Sequence, residues 1–335
     1  MSKQALLSRI EDVILNNSLS LIKYELELLE AGIESILAEG KPETVTLREH
    51  ILQAAGKRLR PALFFLASDG YAGNVSQRID VAVSLELIHT ASLLHDDVID
   101  QAVIRRGKDT THVKWNNKIS VLTGDYLLSR SFQLIAATRR WALVDIVTSL
   151  VQDMTEGEIE QSFAHLGNDD LEEQYFSWIG KKTASFFAGC CQAGSLFAGN
   201  DDHDQAIWYE FGYNFGLAYQ LVDDYLDYSG KAGSTGKPVF GDLKNGVITL
   251  PLLKSIKLPA GSLSNSRALK FSETGSEMQQ TAQLVLGSKG PEYTALKAKD
   301  YADKARSVLK NIQAVPEIKN ELENLISVIL RRCSD

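Results

Sequence analysis

Two segments of this 335-residue chain carry the residue types and spacing needed to handle an anionic substrate. One is Asp96-Asp97-Val98-Ile99-Asp100 and the other is Asp223-Asp224-Tyr225-Leu226-Asp227. Both read DDxxD, and both close apolar, helix-like runs. On a helix, residues four apart share a face. Asp96 and Asp100 then point one way, as do Asp223 and Asp227. Carboxylates crowded on an apolar helix repel one another unless a cation sits between them. Such oxygen donors suit Mg2+, which binds through a few carboxylates, waters and substrate phosphates. A lone DDxxD reads equally well as an acidic, solvated helix end. Two copies, each inside an apolar run, weaken that reading. Neither has the ligand pattern and glycine of an EF-hand.

Basic groups near both motifs narrow the substrate. Gly56-Lys57-Arg58-Leu59-Arg60-Pro61 opens a helix, and Arg105-Arg106-Gly107 follows the first motif. Lys181-Lys182-Thr183 begins another apolar run, and Lys237 follows the second motif in a Gly-rich stretch. Arginine pairs suit two-point binding of phosphate oxygens. Taken singly, each of these groups, His89 included, reads as a solvated charge or a satisfied helix histidine. Together they fit positioning and charge stabilisation of a diphosphate.

Long helices must position these groups. None of the seven prolines falls between Ala62 and Lys237, and proline breaks helix interiors. Leu85, Ile88, Ser92, His95 and Ile99 recur at helical spacing. So do Leu122, Tyr126, Ser129 and Phe132, and likewise Leu217, Leu221, Tyr225 and Tyr228. Alternation at period two is scarce, so no strand pairs are expected. The reading is all-α, a single domain over residues 1–335 with about a dozen helices. Breaks are expected near residues 39–43, 69–74, 105–111, 167–170, 199–202 and 230–241, with a mobile loop at 258–276.

Composition removes other classes. Lys plus Arg number 35 against 43 Asp plus Glu, a net charge of −8. That opposes general nucleic-acid binding. Hydrophobic residues at 44% and charged residues at 23% are ordinary for a globular chain. Three cysteines, two of them the adjacent Cys190 and Cys191, make neither a disulfide framework nor a zinc site. A reduced, cytoplasmic setting is expected. Residues 1–16 lack the apolar core of a signal peptide, and no uncharged run reaches the roughly 20 residues of a membrane span.

The ordered set GKRLRP (56–61), ELIHTASLLHDDVID (86–100), RRG (105–107), GDYLLSRSF (124–132), KTA (182–184), YQLVDDYLD (219–227) and GKPVFGDLKNG (236–246) resembles the trans-isoprenyl diphosphate synthase, or polyprenyl synthetase, family. The likeness spans residues 45–310, more weakly after 290. It implies a helical bundle around a central cavity, the isoprenoid synthase fold, usually dimeric. It implies Mg2+, about two or three ions, and head-to-tail condensation of isopentenyl diphosphate with an allylic diphosphate such as farnesyl diphosphate. By resemblance, Asp96, Asp100 and Asp223 are the main metal ligands, with Asp97, Asp224 and Asp227 assisting. Arg105, Lys182 and Lys237 hold the allylic diphosphate, and Thr183 and Gln220 line the developing cation. Lys57, Arg60, His89 and Arg106 hold isopentenyl diphosphate. The departing diphosphate takes the proton, so no side-chain base is expected. Many members have Lys where this chain has Val247, and Lys244 is a possible substitute.

Tail length follows from helix geometry. A product ionised at Asp96 runs back along its own helix past Ser92 and Ala91, both small, then Ile88 and Leu85. From Asp96 to Leu85 is about 16 Å of helix without a large block, so a long product, about C30 to C40 rather than C15, is expected. Phe132 or Phe65 could close the path deeper down, although core packing suits both. Alternatives are a C20 geranylgeranyl diphosphate synthase and the catalytic chain of a heteromer with a small subunit. A second DDxxD argues against a terpene cyclase on the same fold, and intact aspartates and RRG argue against a non-catalytic subunit.

Overall fold

The structure is a computed structural model that describes residues 19–38, 45–53, 56–69, 73–164, 170–229, 240–255 and 275–333. The described residues form fifteen α-helical segments and one two-stranded hairpin. In chain order they are α1 (Lys23–Ala38), α2 (Val45–Gln53), α3 (Leu59–Ala67), α4 (Val75–Ile99), β1 (Ile104–Arg105), β2 (Lys108–Asp109), α5 (Thr111–Lys114), α6 (Asn117–Ala137) and α7 (Trp141–Ser162). There follow α8 (Leu171–Ile179), α9 (Ser185–Ala198), α10 (Asp202–Ser229), α11 (Gly241–Lys244), α12 (Leu250–Ser255), α13 (Gly275–Leu286), α14 (Gly290–Leu309) and α15 (Pro316–Arg331). The all-α expectation holds. The expected absence of strand pairs does not, because β1 and β2 are antiparallel partners. Two residues per strand are too few to show a period in sequence.

Local chemistry sets the ends of the long helices. The Asn74 side chain accepts from Ser76 N at 2.9 Å and caps α4, whose last turn passes into Asp100. Asn116 caps α6 by accepting from Ile119 N at 2.9 Å. Gly199 closes α9 with φ of 91°, a conformation that costs glycine little. Arg58 precedes α3 with φ of 53°. From there its guanidinium reaches Glu30 on α1 at 2.6 Å and also pairs with Glu86 on α4. Arg58 therefore ties three helices together.

Helix α10 packs most extensively on α14 and α9, and α4 on α6. The glycines on α10 allow close backbone approach. A Cβ on Gly216 would lie 2.6 Å from Ala184 Cα, inside any tolerable contact. Most buried apolar residues, from Leu19 to Ile329, form one core, and Tyr228, Leu243, Leu252, Ala282 and Val285 form a second, smaller cluster. At about 25 cal/mol per Å2 of apolar surface removed from water, this burial is the main stabilising term.

Candidate active site

The first DDxxD ends α4, and its aspartates face two ways. Asp96 and Asp100 look toward Lys182, whose charge offsets theirs. Burial pushes Asp96 up to about 7 against the pull of Lys182, and Glu158 and Asp100 add to the rise. Burial also raises Asp100. Asp97 is rotated off this pair. It is 4% exposed and accepts a hydrogen bond from Arg105 Nε at 2.7 Å. Successive helical residues are turned about 100° apart, so the second Asp of a DDxxD cannot share the face of the first and last. Asp97 thus anchors Arg105, and the face it shares with Asp96 in sequence is not shared in space.

The hairpin explains RRG. Arg106 and Gly107, with φ of 51° and 74°, are the two central residues of the turn between β1 and β2. Left-handed backbone at both positions is what a tight type I′ hairpin turn requires. The turn sends Arg105 back to Asp97 and Arg106 against Gly56. There a Cβ would stand 2.6 Å from Arg106 Nη2, so any larger residue would require that guanidinium to shift. GKRLRP and RRG are thereby brought together. Gly56, His89, Arg105 and Arg106 line one cavity with Glu86 and Lys108.

Arg60 and His89 lie at the inner side of this basic group. Arg60 Nη1 is 3.1 Å from His89 Nε2, and the guanidinium stacks over Phe187 at 4.6 Å and Phe186 at 5.1 Å. Its buried Nε has no hydrogen-bond partner among the described residues. Burial, reinforced by Arg60, Arg106, Arg105 and Arg58, holds His89 well below the usual imidazole range. A neutral histidine ringed by arginines marks a site short of negative charge. Lys57 is exposed next to Gly56 in the chain.

KTA does not begin a helix, as the sequence suggested. It lies in a π turn, Gly180–Ala184, between α8 and α9. Such turns widen the helix locally and recur at functional sites. Gly157 on α7 admits the turn, since a Cβ there would lie 2.9 Å from Lys182 N. Lys182 pairs with Glu158 and donates to Gln161 Oε1 at 2.9 Å, both on α7. The neighbouring Thr183 donates to Gln220 Oε1 at 2.8 Å. Gln220 Nε2 donates to Asp224 Oδ1 at 2.7 Å, and Tyr175 OH donates to Asp224 Oδ2 at 2.5 Å. The turn therefore spans the two aspartate motifs, with Lys182 serving the first and Thr183 bonded toward the second.

The second motif also divides. Asp224 is 2% exposed and raised by burial, with both oxygens engaged inside the protein. Asp227 Oδ1 accepts from Gly241 N at 3.0 Å and Oδ2 from Asp242 N at 3.1 Å, which anchors the start of α11. Asp223 is half-buried one position before Asp224. Lys237 lies outside the described residues. Lys244 is exposed at the end of α11, and Val247 N donates to Asp242 O at 2.8 Å. Among the described residues, no three His, Cys, Asp or Glu side chains gather into a metal cage. Asp96, half-buried, and the more exposed Asp100 one turn on, both raised first by desolvation, nevertheless fit an Mg2+ completed by water and substrate oxygens.

Glu158, Gln161 and Tyr175 were not legible as site residues. Glu158 and Gln161 sit three apart on α7, and Tyr175 precedes Lys182 by two helical turns. Those spacings do not record their contacts with Lys182 and Asp224.

The residues expected to set product length separate as well. Ser92 lies between Asp96 and His89 on the side that meets Lys182 and Phe186. Ala91, 1% exposed, lies on the side whose Ser84 donates to Ser131 O at 3.1 Å and whose His95 crowds Gly124, both on α6. Ile88 is buried between these two sides. Phe132, half-buried and packed against the core, also lines a groove of α6 with Asp125, Leu128 and Ser129. Phe65 is fully buried core, with Arg78 stacked on it at 5.3 Å.

Comparison with known proteins agrees with this geometry. The family described as Polyprenyl synthetase matches residues 41–285. The heptaprenyl diphosphate synthase component 2 of Bacillus subtilis (strain 168) is 36% identical over 268 residues, covering 80% of this chain and 76% of that protein. Solanesyl-diphosphate synthase 2, chloroplastic, of Oryza sativa subsp. japonica is 32% identical, with 96% and 81% covered. A decaprenyl diphosphate synthase from Rhodobacter capsulatus superposes with a TM-score of 0.83 at 29% identity, covering 96% of this chain and all of that one. A polyprenyl synthase from Caulobacter crescentus CB15, crystallised with calcium and isoprenyl diphosphate, gives 0.81 at 30% identity, with 94% and 97% covered. Among the described residues no helix is long and apolar enough to cross a membrane. With both aspartate motifs, the RRG turn and the KTA turn in place, the chain belongs to the polyprenyl synthetase family and is a prenyltransferase of the trans-isoprenyl diphosphate synthase type.

Proposed function

We propose that this chain extends an allylic prenyl diphosphate with isopentenyl diphosphate, in an Mg2+-dependent reaction, to an all-trans product of about C30 to C40, the tail path along α4 setting the length. The observation that carries this reading is the π turn, which places Lys182 on the Asp96–Asp100 pair and Thr183 in the network of Asp224.

Asp96, Asp100 and Asp223 would hold the Mg2+, which when bound neutralises the diphosphate leaving the allylic carbon. Arg105, Lys182 and Lys237 grip that diphosphate, while Asp97 keeps Arg105 in place. The allylic C–O bond breaks and its electron pair leaves with the diphosphate. Thr183 and Gln220 face the resulting cation with their oxygen dipoles. Lys57, Arg60, His89 and Arg106 hold isopentenyl diphosphate, whose double-bond electrons form the new C–C bond. The released diphosphate takes the C2 proton, which restores an allylic product. The buried Arg60 Nε and the neutral His89 suit that second diphosphate, because each can donate to it.

A two-chain enzyme is a second reading, favoured by the relative named as a component of heptaprenyl diphosphate synthase. Incorporation of radiolabelled isopentenyl diphosphate onto farnesyl diphosphate, with product lengths resolved, tests both. Long products from the purified chain support the first reading. Activity only after a second chain is added supports the other. No incorporation in either case refutes both.

A further inference from the structure

We propose that Tyr175 and Asp224 are positioning residues that fix the direction of a hydrogen-bond chain ending on Thr183. This rests on the function proposed above and extends it to residues that touch no substrate.

The argument is one of donors and acceptors. An ionised carboxylate only accepts. Asp224 accepts from Tyr175 OH at Oδ2 and from Gln220 Nε2 at Oδ1. The Gln220 amide is thereby oriented, with its NH2 toward Asp224 and its carbonyl oxygen toward Thr183. A carbonyl oxygen also only accepts, so Thr183 must spend its one proton on Gln220, as the 2.8 Å bond shows. What remains on the Thr183 hydroxyl is lone pairs. An oxygen held as acceptor stabilises a developing allylic cation, whereas one free to turn its proton outward opposes it.

Tyr175 is the outer end of this chain. Its ring is fully buried and fixed edge-on by Phe176 at 5.3 Å and Trp178 at 5.7 Å, so the hydroxyl has one place to point. With Asp224 held from both sides, the carboxylate cannot swing away from Gln220. The arrangement also separates the neighbours in the second motif. Asp224 works inward through Gln220, whereas Asp223 is half-buried one position before it.

Kinetics of Tyr175→Phe, Thr183→Val and the double variant decide the matter, with a thermal unfolding check on each. Loss of an outer partner that orients a working group costs roughly 10- to 100-fold. The expected result is a fall of that order in kcat for Tyr175→Phe, with KM for both diphosphates and the Mg2+ requirement unchanged. In the Thr183→Val background, where no hydroxyl remains to orient, Tyr175→Phe should cost nothing further. Multiplying losses in the double variant, a raised Mg2+ requirement or an unchanged kcat would overturn the proposal. If Tyr175→Phe does not fold, Asp224→Leu removes the acceptor at the other end of that hydrogen bond and takes its place in the cycle. An active wild type with multiplying losses sinks only this inference. An inactive wild type sinks the proposed function and this inference with it.

Discussion

Replacing Ser92 with phenylalanine probes where the growing tail runs. Ser92 is four residues before Asp96, one turn or about 6 Å down the helix, whereas the path to Leu85 is about 16 Å. A phenyl ring on the side that meets Lys182 and Phe186 would end the path at little more than a third of its depth. Ser92→Phe should therefore shift products from about C30 to C40 down to about C15 to C20, with the first condensation nearly unaffected. The assay is chain-length analysis of dephosphorylated products made from farnesyl diphosphate and labelled isopentenyl diphosphate. Ala91→Phe is the matched control. Ala91 is buried against α6, so a larger side chain there overpacks the α4–α6 contact and costs about 1–3 kcal/mol of stability. Its products should keep their length. Wild-type product lengths from Ser92→Phe, or shortening by Ala91→Phe alone, would refute the assignment of these two faces.

Further outcomes follow from the charges. Folding raises Asp96 above its usual value, so its contribution to stability is present at acid pH and is lost as pH climbs from about 4 through about 7. Without metal, thermal stability should decline over that window. Mg2+ should restore it most strongly above pH 7, and Asp96→Asn should flatten the decline. Asp227→Ala removes the acceptor for Gly241 N and Asp242 N. At about 1 kcal/mol for a lost cap, global unfolding should move little, while proteolysis next to α11 should quicken. Glu158→Gln weakens the anchor of Lys182 and removes a negative charge beside Asp96, so Mg2+-dependent stabilisation should shift to lower pH. An unchanged pH dependence would show that Glu158 does not act on Asp96.

The sequence alone determined the helical class, because helix periodicity and a long proline-free stretch are local properties. It likewise determined both DDxxD motifs and the basic segments, since side-chain type and i,i+4 spacing are read directly. Three features waited for the tertiary structure. The partners that claim Asp97 and Asp224 depend on what packs against each, the hairpin's Arg105 in one case and Tyr175 of α8, together with Gln220 of the same helix, in the other. The hairpin behind RRG is too short to leave a period. The roles of Glu158, Gln161 and Tyr175 come from α7 and α8 packing on the π turn, and no spacing along the chain records a contact between helices far apart in sequence. Residue identity states what a group can do. Only packing states which partner has already claimed it.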